Sequence, residues 1–217
     1  AVLEPIKFLL KNKEIEASFI TPNKKGIIDP LSIKREIKEN TVLIIIQHAN
    51  NEIGTIQPIR EISKIKGKPY LLVDACQSFL YENVSLERLG ADVLVLDGIK
   101  MYGPRGMGIL VVKHGVEISP IVFGGGQESG LRSGTENVVG AAGLAGALEV
   151  AISKRKKESK RLLSLRNYII QKILKEIPGS SLNGDLENRL PNNINICFGK
   201  SQSRTLNKGP ESPTLAF

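Results

Sequence analysis

Leu71-Leu72-Val73-Asp74-Ala75-Cys76-Gln77 and Asp92-Val93-Leu94-Val95-Leu96-Asp97-Gly98-Ile99-Lys100-Met101-Tyr102-Gly103-Pro104-Arg105-Gly106 share one design. Each opens on a short apolar run and closes on a polar turn, as expected of a buried parallel strand that delivers a functional group at its carboxyl end. An Asp and a Lys delivered this way by neighbouring strands suit a pyridoxal phosphate (PLP) site. The lysine amine condenses with the cofactor aldehyde, and the carboxylate pairs with the pyridine nitrogen. Holding that nitrogen protonated lets the ring accept electrons from a substrate carbon.

Working outward, the chain alternates strands and helices. Val2 to Lys11 reads as the end of a helix, Ile15 to Ile20 as a short strand, and Asp29-Pro30 as a helix start with Pro at its first position. Thr41 to Gln47 is a continuous β-branched run, predicting a strand covered on both faces. Pro58 to Ile65 and Ser85 to Leu89 read as helices, and Tyr70 to Asp74, Val93 to Leu96 and Met107 to Val112 as strands. The alternation predicts a three-layer α/β sandwich with a mostly parallel sheet. Asn51, Asp74 and Lys100 all fall just past strand carboxyl ends, where such sheets bind ligands. From Thr135 the chain turns helical through Leu174, and Leu182-Asn183-Gly184 with Asn193 to Phe198 starts a smaller α/β lobe. The expected organisation is a PLP-binding large domain over 1–135, incomplete at its N-terminus, connecting helices over 136–178, the start of a small C-terminal domain over 179–198, and a disordered tail over 199–217.

Composition narrows the function classes. The chain has 217 residues, 41% hydrophobic and 24% charged, which is the make-up of a soluble globular protein. The net charge of +8 is concentrated in Lys154-Arg155-Lys156-Lys157 and Lys160-Arg161, on a helical stretch with no aromatic platform beside it. That reads as a solvated helix face rather than a nucleic-acid surface. No apolar run approaches the ~20 residues of a membrane span, and the start has neither the charged nor the apolar region of a signal peptide. Two cysteines without metal-ligand spacing argue against a disulfide framework or a metal site and for a reducing cytoplasm.

Several residues are candidates for the chemistry. Lys100 sits in a Gly-Pro turn whose small residues allow close approach; the alternative is a surface lysine. Asp74 ends a buried strand, where an unpaired carboxylate is costly; its alternative is a cap or ion-pair partner. Gln77 is spaced to hydrogen-bond the cofactor's ring hydroxyl, and Asn51 could do the same, donate to a substrate carboxylate, or serve only its turn. Gly124 to Thr135 offers backbone amides, Arg132 and a hydroxyl to an anion, or is a linker.

Asn50-Asn51-Glu52-Ile53-Gly54, Val73 to Gln77, Lys100 to Gly106 and Arg132-Ser133-Gly134-Thr135-Glu136-Asn137 closely resemble, in order and spacing, the cysteine desulfurases. These are class V members of the fold-type I PLP enzymes, and the resemblance runs from Ala1 to about Phe198. It implies conversion of L-cysteine to L-alanine, with sulfur carried as a persulfide to an acceptor protein for iron-sulfur clusters or tRNA thiolation. It also implies that Lys100 is the PLP lysine, that Asp74 faces the pyridine nitrogen, that Gln77 and Asn51 lie near the ring hydroxyl, and that Thr135 reaches the phosphate of the partner subunit in a homodimer.

The chain departs from that pattern. Asp97 and Ile99 stand where the family has a phosphate-binding Ser and His; a carboxylate there repels a phosphate and Ile offers no donor. The family's N-terminal phosphate loop and stacking histidine, its mobile catalytic-cysteine loop and its substrate-carboxylate arginine have no counterpart here. Cys76 and Cys197 read as small buried hydrophobes, not as that cysteine. The expectation is a desulfurase truncated at both ends. Two alternatives are another class V enzyme, such as a selenocysteine lyase or an aminotransferase, and a non-catalytic remnant acting as a binding protein.

Overall fold

A computed structural model describes residues 1–199; the expected tail lies, apart from Gly199, outside the described residues. The elements follow the alternation read from the sequence. Helix α1 (Leu3–Lys11) and helix α2 (Pro30–Glu36) precede strand β1 (Leu43–Gln47), helix α3 (Ile59–Ile65), strand β2 (Tyr70–Asp74), helix α4 (Leu86–Leu89) and strand β3 (Val93–Asp97). A one-turn 3₁₀ helix, Ile99–Met101, leads to strand β4 (Gly108–Val112). Helix α5 (Val138–Glu176) and strands β5 (Ser180–Leu182) and β6 (Ile196–Phe198) complete the described chain.

The four-stranded sheet has the order β1-β2-β3-β4. The first three strands are parallel and β4 returns antiparallel, as the short turn after β3 demands. Register matters for the site. Gln47 lies beside Asp74, and Asp74 beside Val95, so the carboxyl ends of three strands share one edge of the sheet. Leu71 and Val73 of β2 and Leu94 and Leu96 of β3 form the core with Ile33 of α2, Ile59 and Ile62 of α3, Leu89 of α4, and Leu144 and Ala151 of α5.

Caps explain where the helices begin. Asp29 accepts from Leu31 N at 3.0 Å with Pro30 at the first helical position, and Ser85 caps α4 through Arg88 N at 3.1 Å. Asn137 Oδ1 accepts from Gly140 N at 2.9 Å and starts a single helix of 39 residues. Within its basic run, Arg155 leaves the solvent side and stacks 4.7 Å from the Phe79 ring.

Two expectations about strands differ. Residues 15–20 form no strand, because an extended run enters a sheet only where its backbone finds a ladder partner. The β1 segment is a strand but lies at the sheet edge rather than covered on both faces. Ile44 and Ile46 pack on the core, whereas Leu43, on the alternate face, is 41% exposed.

Candidate active site at the strand ends

Asp74 is the last residue of β2, half-buried, and its Oδ1 accepts from Cys76 N at 3.0 Å. That short turn directs the chain into the Ala75–Ser78 bend, where Ser78 N donates to Ala75 O at 3.1 Å. The bend is tied to neighbours on both sides. Ala75 N donates to Val95 O at 3.0 Å, and buried Ser78 Oγ meets His48 Nδ1 at 2.8 Å. Because Ser78 Oγ donates to Ala75 O at 3.2 Å, the imidazole is the donor to Ser78. Burial, and secondarily the Arg88 charge, holds the His48 pKa down at about 4, so the ring is neutral at physiological pH. Neither His48 nor its partner Ser78 was singled out from the sequence. A lone histidine after a β-branched run carries no signal of its fixed pairing 30 residues on.

Lys100 lies on the 3₁₀ turn directly after β3. Gly98 permits that turn: a Cβ there would sit 2.6 Å from Met107 O. Asp97 organises it, accepting from Ile99 N with Oδ1 at 3.1 Å and pairing with Lys100 Nζ through Oδ2 at 3.6 Å. Both side chains of the pair are partly exposed, at 32% and 43%. This ion pair, absent from the sequence reading, uses the residue that departs from the family pattern.

The two turns meet at Cys76. Its thiol lies half-buried, donates weakly to Val95 O at 3.7 Å, and stands within electrostatic reach of Asp74, Lys100 and Asp97. Burial first, then the bond and charge of Asp74, push its pKa up to about 12. It is thus a protonated thiol at ordinary pH and a poor nucleophile. Gln77 is half-buried one residue further on. A carboxylate, a primary amine and an amide thus gather around one end of the sheet. This set matches a pyridine nitrogen, an aldehyde and a ring hydroxyl. At the two positions that the family pattern assigns to the phosphate the fit is poorer, since Asp97 supplies a negative charge and Ile99 an exposed hydrocarbon.

Asn51 belongs to a separate loop past β1. Its exposed amide donates to Glu52 Oε1 at 3.1 Å, while Asn50 Oδ1 accepts from Glu52 N and Ile53 N, each at 2.9 Å. Thr135 is exposed at the end of the glycine-rich loop. That loop bonds largely to itself: Arg132 donates to Ser133 O at 2.7 Å, Gly134 N to Gln127 Oε1 at 3.2 Å, and Glu128 N to Glu136 Oε1 at 3.3 Å. Cys197 lies on β6, outside this group.

With that geometry in view, the comparisons point one way. The model of the family described as aminotransferase class-V matches residues 1–208. The cysteine desulfurase IscS of Dictyoglomus turgidum is 43% identical over 208 residues, covering 95% of this chain and 52% of that protein. Among solved structures, one titled NifS-like protein aligns with a TM-score of 0.84 at 34% identity, over 91% of this chain and 54% of that one. Another, SspA in complex with cysteine, aligns with a TM-score of 0.75 at 33% identity, over 91% and 55%. The chain spans about half the length of the curated relatives it matches.

Proposed function

Since the chain belongs to the class V aminotransferase family, whose members depend on PLP, we propose that it carries the cofactor-ring half of a cysteine desulfurase. Its substrate in this reading is L-cysteine, its carbon product L-alanine, and its sulfur passes to an acceptor protein for iron-sulfur cluster assembly or tRNA thiolation. When bound, PLP supplies an electron sink for the substrate Cα. Asp74 holds the proton on the pyridine nitrogen, and Gln77 and Asn51 orient the ring through its hydroxyl. Lys100 would hold the cofactor through its amine, and the same amine would move the proton at the substrate Cα. Cys76 is not the sulfur carrier in this reading, because a half-buried thiol held protonated at ordinary pH is a poor nucleophile. Exposed Thr135 serves the second subunit of a homodimer. We assign the reaction to the cytoplasm; among the described residues no helix is long and apolar enough to cross a membrane.

The observation that supports this reading most is the common electrostatic reach of Asp74 and Lys100 around the Cys76 thiol, at the aligned ends of β2 and β3. Likeness to desulfurases at 43% identity favours that reaction over a selenocysteine lyase or an aminotransferase. The Asp97–Lys100 pair favours a non-catalytic binding role, because it engages the amine and puts a carboxylate where the family pattern has a phosphate ligand. The deciding experiment is incubation with PLP, borohydride reduction and peptide mapping. A reduced pyridoxyl adduct on Lys100, absent in Lys100→Ala, is expected. An unmodified Lys100 at saturating PLP would sink the proposal.

A further inference from the structure

The Asn51 loop is held from behind by a segment about 140 residues later in the chain. Asn193 Nδ2 donates to Glu52 O at 2.9 Å and to Asn51 O at 3.4 Å, and Asn195 Nδ2 adds a second bond to Glu52 O at 3.1 Å. The fit is close. Gly54 has φ +71, and a Cβ on it would lie 2.5 Å from the Asn193 amide. Backbone bonds flank the contact: Leu190 N donates to Gly54 O at 2.9 Å, and Ile56 N to Asn188 O at 2.8 Å.

Asn193 is itself fixed. Its Oδ1 accepts from Arg189 Nη1 at 2.7 Å, which leaves the amide nitrogen pointing at the loop. Arg189 is 3% exposed and also donates to Asp185 O at 2.7 Å and to Asn183 O. Arg166, buried on α5, donates to the carbonyls of Arg189 at 2.7 Å and of Leu190 and Leu186 at 3.2 Å each. A continuous chain of hydrogen bonds thus runs from α5 through two buried guanidiniums to the backbone of Asn51.

We propose that Asn193, oriented by Arg189, is a positioning residue that fixes the Asn51–Gly54 loop so that the Asn51 side chain meets the cofactor ring. The inference rests on the PLP reading above and goes further: it makes the β5–β6 unit part of the cofactor site without touching the cofactor. An amide is required at 193 because it must accept from Arg189 and donate to the loop at once. Aspartate is nearly the same shape but can only accept. Asn193→Asp therefore keeps the arginine contact and opposes two carbonyl oxygens with a carboxylate.

The test uses the full chain and two readouts. In amide hydrogen exchange, Asn193→Asp should speed exchange at Ile53 and Gly54 about tenfold, the loss of one or two net hydrogen bonds, with Ala75 unchanged. Asn195→Ala, a milder change at the rim, should do the same by a few-fold. Ile170→Val, a core control on α5, should leave the loop untouched. In PLP titration followed by the cofactor's visible absorbance, Asn193→Asp should weaken binding as much as Asn51→Ala does, and the double variant no further. Loop exchange that is unchanged in both Asn193→Asp and Asn195→Ala overturns the proposal. So does faster exchange with unaltered PLP affinity. A wild-type chain that takes up no PLP, while Asn193→Asp still loosens the loop, refutes the cofactor reading but leaves the loop clamp standing.

Discussion

The Lys100 turn and the Arg189 knot are both built from charged residues, yet they differ in every physical respect. In the turn, Lys100 and Asp97 are half in solvent and bonded locally, three residues apart. In the knot, Arg189, Arg166 and Asp185 are at most 4% exposed and reach across the chain. Asp185 N meets Thr55 Oγ1 at 3.2 Å, and Asp185 Oδ2 pairs with Lys25 at 3.1 Å. A buried charge must have its bonding satisfied by fixed partners, so it holds backbone in place. A half-exposed amine keeps the freedom to exchange one partner for another, and covalent chemistry needs that freedom. In the proposed reading the molecule thus separates the residues that position from the residue that reacts.

The hardest way to break this contrast is to cut the knot. Arg189→Met keeps most of the aliphatic stem but removes the donors to Asp185 O, Asn183 O and Asn193 Oδ1. One buried and two half-buried acceptors then lose their partner, and Asp185 loses a neighbouring cation. The expected cost is about 3 to 5 kcal/mol, the range for removing one member of a buried charged network. Urea unfolding with an unchanged m-value would measure it. A loss under about 1 kcal/mol would put the knot in the same class as a surface ion pair.

His48 tests the contrast through pH. The unfolded chain protonates this ring near 6.5 and the folded chain only near 4. The unfolded state therefore binds more protons between those values. The stability His48 confers is complete above pH 6.5 and is lost as the pH falls towards 4. The full difference amounts to roughly 3 kcal/mol. Subtracting the pH profile of His48→Gln from that of wild type isolates it from the carboxylates titrating in the same window. A flat difference curve would mean that His48 is solvated.

The knot and His48 are also what the sequence conceals. Strand and helix positions follow from local patterns: a β-branched run for β1, a short apolar run for β3, Asp29-Pro30 for α2, and the Asp74 and Lys100 turns at strand ends. The Arg189 knot follows from none of these. Arg166 and Arg189 carry the composition of surface residues. The carbonyls that Arg166 meets lie 20 to 24 residues away, the partners of Arg189 lie four to six residues away around an irregular turn, and Asp185 meets Thr55 across 130 residues. Ile15 to Ile20 fails in the opposite sense. Its local pattern is that of a strand, but whether a strand forms depends on a neighbour the pattern cannot name. The Asp97–Lys100 bond was within reach, since an i,i+3 pair on a 3₁₀ turn is local.

Asp97→Ser is the smallest and sharpest probe of the reactive side of the comparison. Serine keeps an oxygen that can accept from Ile99 N, so the 3₁₀ turn retains its cap. Only the ion pair to Lys100 is lost, and a half-exposed pair at 3.6 Å contributes about 0 to 1 kcal/mol. Stability should therefore change by less than about 1 kcal/mol, within the range of an ordinary surface substitution. If Asp97 stands where the family pattern puts a phosphate ligand, PLP affinity should improve by something like tenfold, because a full negative charge is removed from beside a phosphate dianion. Raising the salt concentration screens that repulsion and should narrow the gap between Asp97→Ser and wild type. Weaker PLP binding in Asp97→Ser would mean that Asp97 helps to orient Lys100 more than it hinders the phosphate, and the ion pair would then join the positioning residues.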